Sequence, residues 1–229
     1  MAKNKLKKFA DLSTLKNVFQ NFDYLKPELV QTEQVVDLKG KWLESHFQNE
    51  KPLVIELACG RGEYTIGLAE QDDSKNYIGI DIKGARIWQG ATIADERNYD
   101  HVAFVRTRIE LLSNFFAEQE LDEIWITFPD PFLKDRRANK RLTSPVFLDI
   151  YKQLLKPNGV IHLKTDNPKL YHYSLQTLTE DTGGRITFHH NNIYTMDYIP
   201  QALEINTYYE KMHLKDNCSI KYIQYRLNG

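Results

Sequence analysis

Apolar residues along this chain come in short runs that alternate with longer segments of mixed polarity. Such nearly continuous runs are typical of strands buried on both faces of a parallel sheet. They predict strands over residues 53–58, 77–82, 102–107, 123–128 and 160–165. The mixed segments predict helices over residues 63–70, 84–98, 109–117, 146–155 and 168–180. This alternation indicates an α/β fold with a mostly parallel central sheet and helices on both faces.

The two ends of the chain carry different patterns. Further strands over residues 185–191 and 220–227 predict an antiparallel edge of the sheet near the C-terminus. Lysines concentrate in the first eight residues, so a flexible basic tail is expected over about residues 1–10. Residues 32–47 have the apolar spacing of an amphipathic helix. No repeat or linker interrupts the chain, which predicts one domain over residues 1–229.

The composition narrows the class of protein. The chain has 229 residues, a formal net charge of −1 and 41% hydrophobic residues, which is typical of a folded α/β domain and not of a disordered chain. No apolar run approaches the roughly 18 residues that span a bilayer, so no membrane partner is expected. Cys59 and Cys218 fit neither a disulfide framework nor a metal site, and the histidines show no metal-ligand spacing. We therefore expect a cytoplasmic protein without a metal.

A glycine turn, Cys59-Gly60-Arg61-Gly62, separates the first of these strands from its helix. The order strand, glycine turn, helix is typical of nucleotide sites in open α/β sheets, because glycine lets the backbone approach a ligand closely. Dinucleotide sites carry a third glycine where this chain has Thr65, and Glu63 would repel a pyrophosphate at the helix N-terminus. The turn therefore argues against a dinucleotide.

Two acids accompany this turn. Asp81 ends the next strand, 19 residues after Gly62, where an acid can hydrogen-bond both hydroxyls of a ribose. Together with Glu56 upstream, the pattern suits a cationic ligand without phosphate, such as S-adenosylmethionine. The alternative is a generic strand–turn–helix whose glycines serve packing, with Glu56 as a buried acceptor for loop N–H groups.

The stretch from Phe128 to Arg141 opens with Pro129-Asp130-Pro131, directly after the fourth of these strands. Each proline lacks an N–H and fixes φ, so regular pairing ends and the backbone at Asp130 is stiff. The basic residues that follow are Lys134, Arg136, Arg137, Lys140 and Arg141. A fixed carboxylate beside concentrated positive charge suits a purine base with its phosphates, whereas the alternative is a solvated turn.

Six motifs, taken together and in order, resemble those of the bacterial tRNA (guanine-N7)-methyltransferases, which modify position 46 in the variable loop. They are Glu56-Leu-Ala-Cys-Gly-Arg-Gly62, Gly79-Ile-Asp81, Phe128-Pro-Asp-Pro131, Lys134 with Arg136-Arg137 and Lys140-Arg141, Lys164-Thr-Asp166 and Thr207-Tyr-Tyr-Glu210. The resemblance covers roughly residues 4–227. It implies a Rossmann-like methyltransferase fold, S-adenosylmethionine as cofactor, tRNA as partner, and a monomer or homodimer without an obligatory protein partner.

The resemblance also implies roles for individual residues, with Asp130 as the catalytic acid. The cofactor-binding positions are Glu56, Gly60, Gly62, Asp81, Thr107 and Asp130. The substrate-binding positions are Lys134, Arg136, Arg137, Asp166, Thr207 and Glu210. Relatives commonly have an acid where this chain has Thr107, so the threonine hydroxyl or a backbone carbonyl would take over that acid's hydrogen bond.

Several alternatives stay open. Asp166 is also placed to be the N-cap of the helix over 168–180. The tyrosines Tyr198, Tyr208 and Tyr209 suit either stacking on a base or packing in the core. Rival functions are the same fold acting on a small molecule or another RNA, a tRNA-binding module without catalysis, and a dinucleotide oxidoreductase, which the missing third glycine disfavours.

Overall fold

One sheet of ten strands organises the computed structural model, which describes residues 2–216 and 218–228. The strands are β1 (Val18–Gln20), β2 (Leu29–Gln31), β3 (Gln34–Val36), β4 (Leu53–Leu57), β5 (Asn76–Asp81), β6 (Val102–Arg106), β7 (Leu121–Thr127), β8 (Leu155–Thr165), β9 (Gly184–His190) and β10 (Lys221–Leu227). The α-helices are α1 (Ala2–Leu12), α2 (Glu63–Gln71), α3 (Gly84–Glu96), α4 (Leu112–Phe115), α5 (Pro145–Leu154), α6 (Pro168–Glu180) and α7 (Tyr208–Lys215). No helix in this described part is long and apolar enough to cross a bilayer.

The sheet is parallel in its centre and antiparallel at its edges. Its order is β3-β2-β1-β6-β5-β4-β7-β8-β10-β9, and the strands from β1 to β8 in this order pair in parallel. β10 lies antiparallel between β8 and β9, which confirms the predicted α/β class and its antiparallel edge. The connections run outward in opposite directions from the β4–β7 pair. Ligands of open α/β sheets bind at the carboxyl ends of the strands at such a point.

Both faces of the central strands are buried, which explains their continuous apolar runs. Leu53, Ile55 and Leu57 on β4 belong to one buried cluster, whereas Val54 between them belongs to the other. Because successive side chains on a strand point to opposite faces, the two clusters lie on opposite sides of the sheet. Packing on both faces therefore fixes the positions of β4, β5 and β7, whose carboxyl ends lie at the same edge of the sheet.

The predicted helix over residues 32–47 is wrong. β2 and β3 form a hairpin there, with antiparallel pairing of Leu29 with Val36. Thr32 and Glu33 both have positive φ, of 44° and 69°, as a two-residue hairpin turn requires. Only Trp42–Phe47 is helical, as a single π-type turn. The hairpin adds a second antiparallel edge that the sequence pattern did not indicate.

The basic segment expected to be a flexible tail forms helix α1. Its apolar residues decide this, because a Cβ added at Gly84 on α3 would lie 2.9 Å from Phe9 and 3.1 Å from Leu12. The indole N–H of Trp88 donates to the Asp11 carboxylate at 2.9 Å. α1 thus packs closely on α3.

Candidate active site

A cleft opens at the carboxyl edge of the sheet, between the loop after β4 and the loop after β7. The two strands are adjacent and parallel, with Leu57 in register with Ile126, so their loops leave the sheet side by side. Two adjoining cavities fill the cleft, of about 530 Å³ and about 510 Å³. The residues lining both are Ala58, Asp81, Ile82, Pro129 and Asp130.

The two cavities differ in character, and we name them accordingly. The larger, the polar cavity, is lined among others by Glu56, Gly60, Asp166 and Thr207. The smaller, the apolar cavity, is lined among others by Thr107, Ile109, Leu142 and Phe147. The acids predicted from separate stretches of sequence therefore converge on one cleft.

The glycines of the turn have different roles. Gly60 and Gly62 are both left-handed, with φ of 57° and 71°. A Cβ added at Gly60 would meet only the Ala58 carbonyl oxygen, at 4.0 Å, so this side of the turn is open. A Cβ added at Gly62 would lie 2.6 Å from the Phe104 ring. Gly60 leaves room for a ligand, whereas Gly62 lets α2 pack on the sheet and is absent from the described lining of both cavities.

Glu56 is buried beneath the glycine turn, with 3% of its surface exposed. It accepts hydrogen bonds from the Thr65 N–H at 2.8 Å, the Thr65 hydroxyl at 2.5 Å and the Thr127 hydroxyl at 2.5 Å. Burial raises the pKa of Glu56 to about 7, although these three hydrogen bonds lower it. Glu56 satisfies an N–H in the first turn of α2, which supports the alternative of a buried acceptor.

Asp81 forms the wall that the two cavities share. Its carboxylate accepts the Gly60 N–H at 2.9 Å and the Lys83 N–H at 2.7 Å, one on each oxygen. A carboxylate has about four acceptor sites, so Asp81 can still accept from ligand hydroxyls. Thr107 lies beside it, with its N–H donating to the Asp81 carbonyl at 3.2 Å and its hydroxyl oxygen accepting from the Asn21 amide at 3.3 Å.

Asp130 projects from a fixed loop into the cleft. Phe128 and Phe132, on either side, have positive φ of 47° and 41°, and the Phe128 N–H donates to the Lys164 carbonyl at 2.8 Å. The Asp130 side chain is exposed and makes no hydrogen bond or ion pair with any residue that the structure describes. The loop backbone is therefore fixed, and the Asp130 carboxylate lines the same cavity as Gly60 and is available to a ligand.

Asp166 and Thr207 lie on the far wall of the polar cavity. The N-cap of α6 is Asn167, whose side chain accepts the Leu170 N–H at 3.0 Å, so the alternative that Asp166 caps this helix is wrong. The Thr207 hydroxyl accepts the Glu210 N–H at 3.2 Å and caps the start of α7. Thr207 thus caps α7 and at the same time lines the polar cavity.

Comparison with known proteins gives a consistent family. A family model described as a putative methyltransferase matches residues 50–222. The tRNA (guanine-N(7)-)-methyltransferase of Christiangramia forsetii is 46% identical over 227 residues, which cover 99% of this chain and 99% of that protein. This chain belongs to the tRNA (guanine-N7)-methyltransferase family.

Solved structures of more distant methyltransferases share the fold of this family member. The 16S rRNA methyltransferase KamB superposes with a TM-score of 0.62 over 86% of this chain and 97% of that one, at 11% identity. A 16S rRNA (adenine(1408)-N(1))-methyltransferase from Catenulisporales acidiphilia, solved with the cosubstrate SAM, gives a TM-score of 0.51 over 86% of this chain and 94% of that one, at 11% identity. At these identities the likeness concerns the fold alone.

The basic residues of the family motif after Asp130 divide into two groups. Lys134, Arg136 and Arg137 are exposed beside the cleft, on or next to a short 3₁₀ helix. Arg141 is instead 2% exposed, and it donates to the carbonyl oxygens of Pro131 and Phe132 at 3.1 and 3.0 Å. Arg141 therefore differs from the rest of the basic run that was expected to face a purine and its phosphates, because its guanidinium is buried and braces the loop that carries Asp130.

Glu210, the last residue of the family's Thr-Tyr-Tyr-Glu motif, is fully buried. Its carboxylate accepts from the Lys164 ammonium and the Tyr194 hydroxyl, each at 2.8 Å. Burial raises the pKa of Glu210 and lowers that of Lys164. Lys164 also donates to the carbonyl oxygens of Leu203 and Ile205, at 2.8 and 3.1 Å. Glu210 therefore anchors the segment that carries Thr207 and lies outside the described lining of the cleft.

The residue pattern did not single out three charged side chains of the polar cavity, Arg61, Lys83 and Arg86. The sequence did contain a signal for Lys83 and Arg86, because they follow Asp81 at the end of a strand in the same way that the basic run follows Asp130. Glu63, which the pattern used only against pyrophosphate, accepts the Tyr208 N–H at 2.9 Å and so joins α2 to α7. Of the tyrosines weighed for stacking, Tyr209 lines the polar cavity.

Proposed function

We propose that this chain transfers the methyl group of S-adenosylmethionine to N7 of guanosine 46 in the variable loop of tRNA. The observation that carries the proposal is the placement of Asp130, an exposed carboxylate where two cavities meet beside the glycine turn. The names of the family members support tRNA and guanine N7 as the target. The motif resemblance supplies position 46.

The residues of the cleft fit S-adenosylmethionine. The open side of Gly60 admits a ligand close to the backbone. Asp81 can accept from the hydroxyls of a ribose, and the apolar cavity, with Ile109, Phe147 and the Thr107 hydroxyl, suits an adenine. When bound, this cofactor supplies a methyl group that its sulfonium makes electrophilic.

Guanine N7 already carries an in-plane lone pair, so no base has to remove a proton before attack. The protein must hold the purine in line and tolerate the positive charge that develops on its imidazole ring. The Asp130 carboxylate suits both tasks, since it can accept from the N1–H and amino edge of guanine and offsets the charge. Arg141 and the flanking prolines fix the backbone of the loop that carries that carboxylate.

The charges around the cleft suit a polyanion. Lys134, Arg136 and Arg137 are exposed on one side, where they can contact backbone phosphates. Asp166 and Thr207, on the far wall of the polar cavity, offer an acid for amino groups and a hydroxyl for ribose or phosphate. Because the net charge of the whole chain is −1, this positive charge is a local patch and not a property of the entire surface.

The test is chemical mapping of the modified nucleotide. The purified chain is incubated with S-adenosylmethionine and an unmodified tRNA transcript, and borohydride–aniline treatment then cleaves at N7-methylguanosine. We expect cleavage at guanosine 46 and none in a matched transcript with adenosine there. Cleavage at another guanosine would contradict the assigned position, and methylation of only a small molecule or another RNA would contradict the proposed substrate.

A further inference from the structure

The loop between β1 and β2 exposes large apolar side chains next to the cleft. Phe22 is 65% exposed, Tyr24 56% and Leu25 89%. Side chains of this size are seldom left in water in such a close group, and exposed apolar groups of this kind mark binding surfaces. The loop is therefore a candidate contact surface.

Hydrogen bonds hold this loop in shape. The Asn21 N–H donates to the Arg106 carbonyl at 2.9 Å, and the Asn21 side chain accepts the Asp23 N–H at 3.2 Å. The Asp23 carboxylate accepts the Leu25 N–H at 2.8 Å. The exposure of the aromatic rings therefore belongs to an ordered turn.

A guanidinium accompanies each ring. The Arg106 Cζ lies 5.5 Å from the centre of the Phe22 ring, and the Arg108 Cζ lies 5.3 Å from the centre of the Tyr24 ring. Arginine beside exposed aromatic rings is the combination that binds unpaired nucleotides, because the rings stack on bases and the guanidinium attracts phosphate.

The surface is continuous with the cleft. Phe22 and Tyr24 line a groove of about 170 Å³ together with Ile82, Thr107 and Arg108. The last three residues also line the apolar cavity that ends at Asp130. With the cofactor's adenine in the apolar cavity and the guanosine in the polar cavity, the groove lies at the rim of the same cleft, where a nucleotide next to the guanosine can reach it.

We propose that Phe22, Tyr24, Arg106 and Arg108 form a stacking platform for an unpaired nucleotide that flanks the target guanosine; this rests on the proposed function, because it takes the RNA substrate as given. Arg108 shares its charge with Glu110 at 3.4 Å, and Asp23 also lines the groove, so the guanidinium of Arg106 and the continuity with the cleft are what favour RNA as the occupant. A lid over the cofactor and a contact with a second copy of the chain are the outcomes that the test separates.

The test variant carries Phe22→Ala and Tyr24→Ala in one chain. Its control is Val35→Ala, which shortens a 64% exposed apolar side chain on the outer strand β3. We expect the dissociation constant for tRNA to rise about tenfold or more in the first variant only. The dissociation constant for S-adenosylmethionine, measured by calorimetry, should stay within about twofold. The pair Phe22→Trp and Tyr24→Phe, which keeps the rings, should restore tRNA affinity.

A second readout locates the nucleotide. 2-Aminopurine placed beside guanosine 46 should lose fluorescence on binding the unaltered chain and keep it with the alanine variant. The platform would be overturned if the alanine variant kept its tRNA affinity, or if the Val35 control lost as much tRNA affinity. It would also be overturned if the alanine variant lost affinity for the cofactor alone, as a lid would, or changed only in its sedimentation, as a contact with a second copy would. Failure of the proposed function shows separately, as absence of cleavage at guanosine 46 with the unaltered chain.

Discussion

Two carboxylates at the ends of neighbouring strands have opposite surroundings. Glu56 lies under the glycine turn with three hydrogen-bond donors around it, whereas Asp130 lies at the mouth of the cleft with no partner among the described residues. Burying a carboxylate is unfavourable unless hydrogen-bond donors satisfy it. The donors around Glu56 offset that cost, and the same hydrogen bonds fix the shape of the glycine turn. The unpaired acid keeps its acceptor capacity for a ligand.

The cations repeat this division. Lys164 and Arg141 are buried and bind carbonyl oxygens of the segments that form the cleft walls. Arg136 and Arg137 are exposed beside the cleft. The inner charges therefore determine the shape of the site, and the outer charges remain exposed and available to the proposed substrate. Substitutions in the inner group should reduce stability, and those in the outer group should reduce function.

The largest effect on stability is expected for Lys164→Met. This change leaves the Glu210 carboxylate buried without its cation and removes the donor for two carbonyl groups. Breaking one side of a buried ion pair typically lowers the free energy of unfolding by about 3–5 kcal/mol. Urea denaturation measures it.

The matched control is Lys134→Met, which removes an exposed cation of the same length. It should change the free energy of unfolding by less than about 0.5 kcal/mol. Equal losses in the two variants would remove the distinction between inner and outer charges.

Glu56→Gln tests the inner acid through pH. The pKa of Glu56 is about 7 in the folded chain against an ordinary value of 4.5. Between these two pH values the folded state therefore holds a proton that the unfolded state has released. The contribution of Glu56 to stability is therefore fully present below about pH 4.5 and is lost as pH rises through about 7.

Across that window the unaltered chain should lose on the order of 3 kcal/mol relative to the Gln variant, measured as the difference between their urea-unfolding free energies at each pH. Asp130→Asn serves as the control, because it makes the matching acid-to-amide change at an exposed side chain. A constant difference between the Gln variant and the unaltered chain would refute the buried, protonated state of Glu56.

The smallest effect concerns Arg136→Ser with Arg137→Ser. If both contact phosphates, the slope of log affinity for tRNA against log salt should fall by about two, with little change in stability. Filter binding between low and physiological salt measures the slope. Arg185→Ser, an exposed position on β9, should leave it as it is; an equal fall there would indicate non-specific attraction.

The parallel core and much of the cleft followed from sequence. β4, β5, β6 and β7 have continuous apolar runs because both faces are buried, and parallel strands bring their carboxyl ends to one edge. This is why Gly60, Asp81 and Asp130 were predictable as neighbours. The three-residue strands β1, β2 and β3 were not, because their pairing with β6 and with each other defines them more than their composition does.

The roles of Arg141 and Glu210 were also beyond the sequence pattern. A charged residue in a motif has the same letter whether it faces a ligand or a buried partner. The partners of Arg141 come from the preceding loop, and Lys164, which pairs with Glu210, lies 46 positions away. Only the folded chain shows that these charges are satisfied internally.

The central claim is that the Asp130 carboxylate acts on the substrate and contributes little to the stability of the fold or to cofactor affinity, although the motif resemblance also counts it among the cofactor-binding positions. Single-turnover methylation of tRNA by Asp130→Asn, with cofactor affinity and urea stability measured on the same protein, tests it most directly. We predict a rate loss on the order of 100-fold with both other quantities near those of the unaltered chain. Methylation at the unaltered rate, or a loss explained by weaker cofactor binding or unfolding, would contradict the claim.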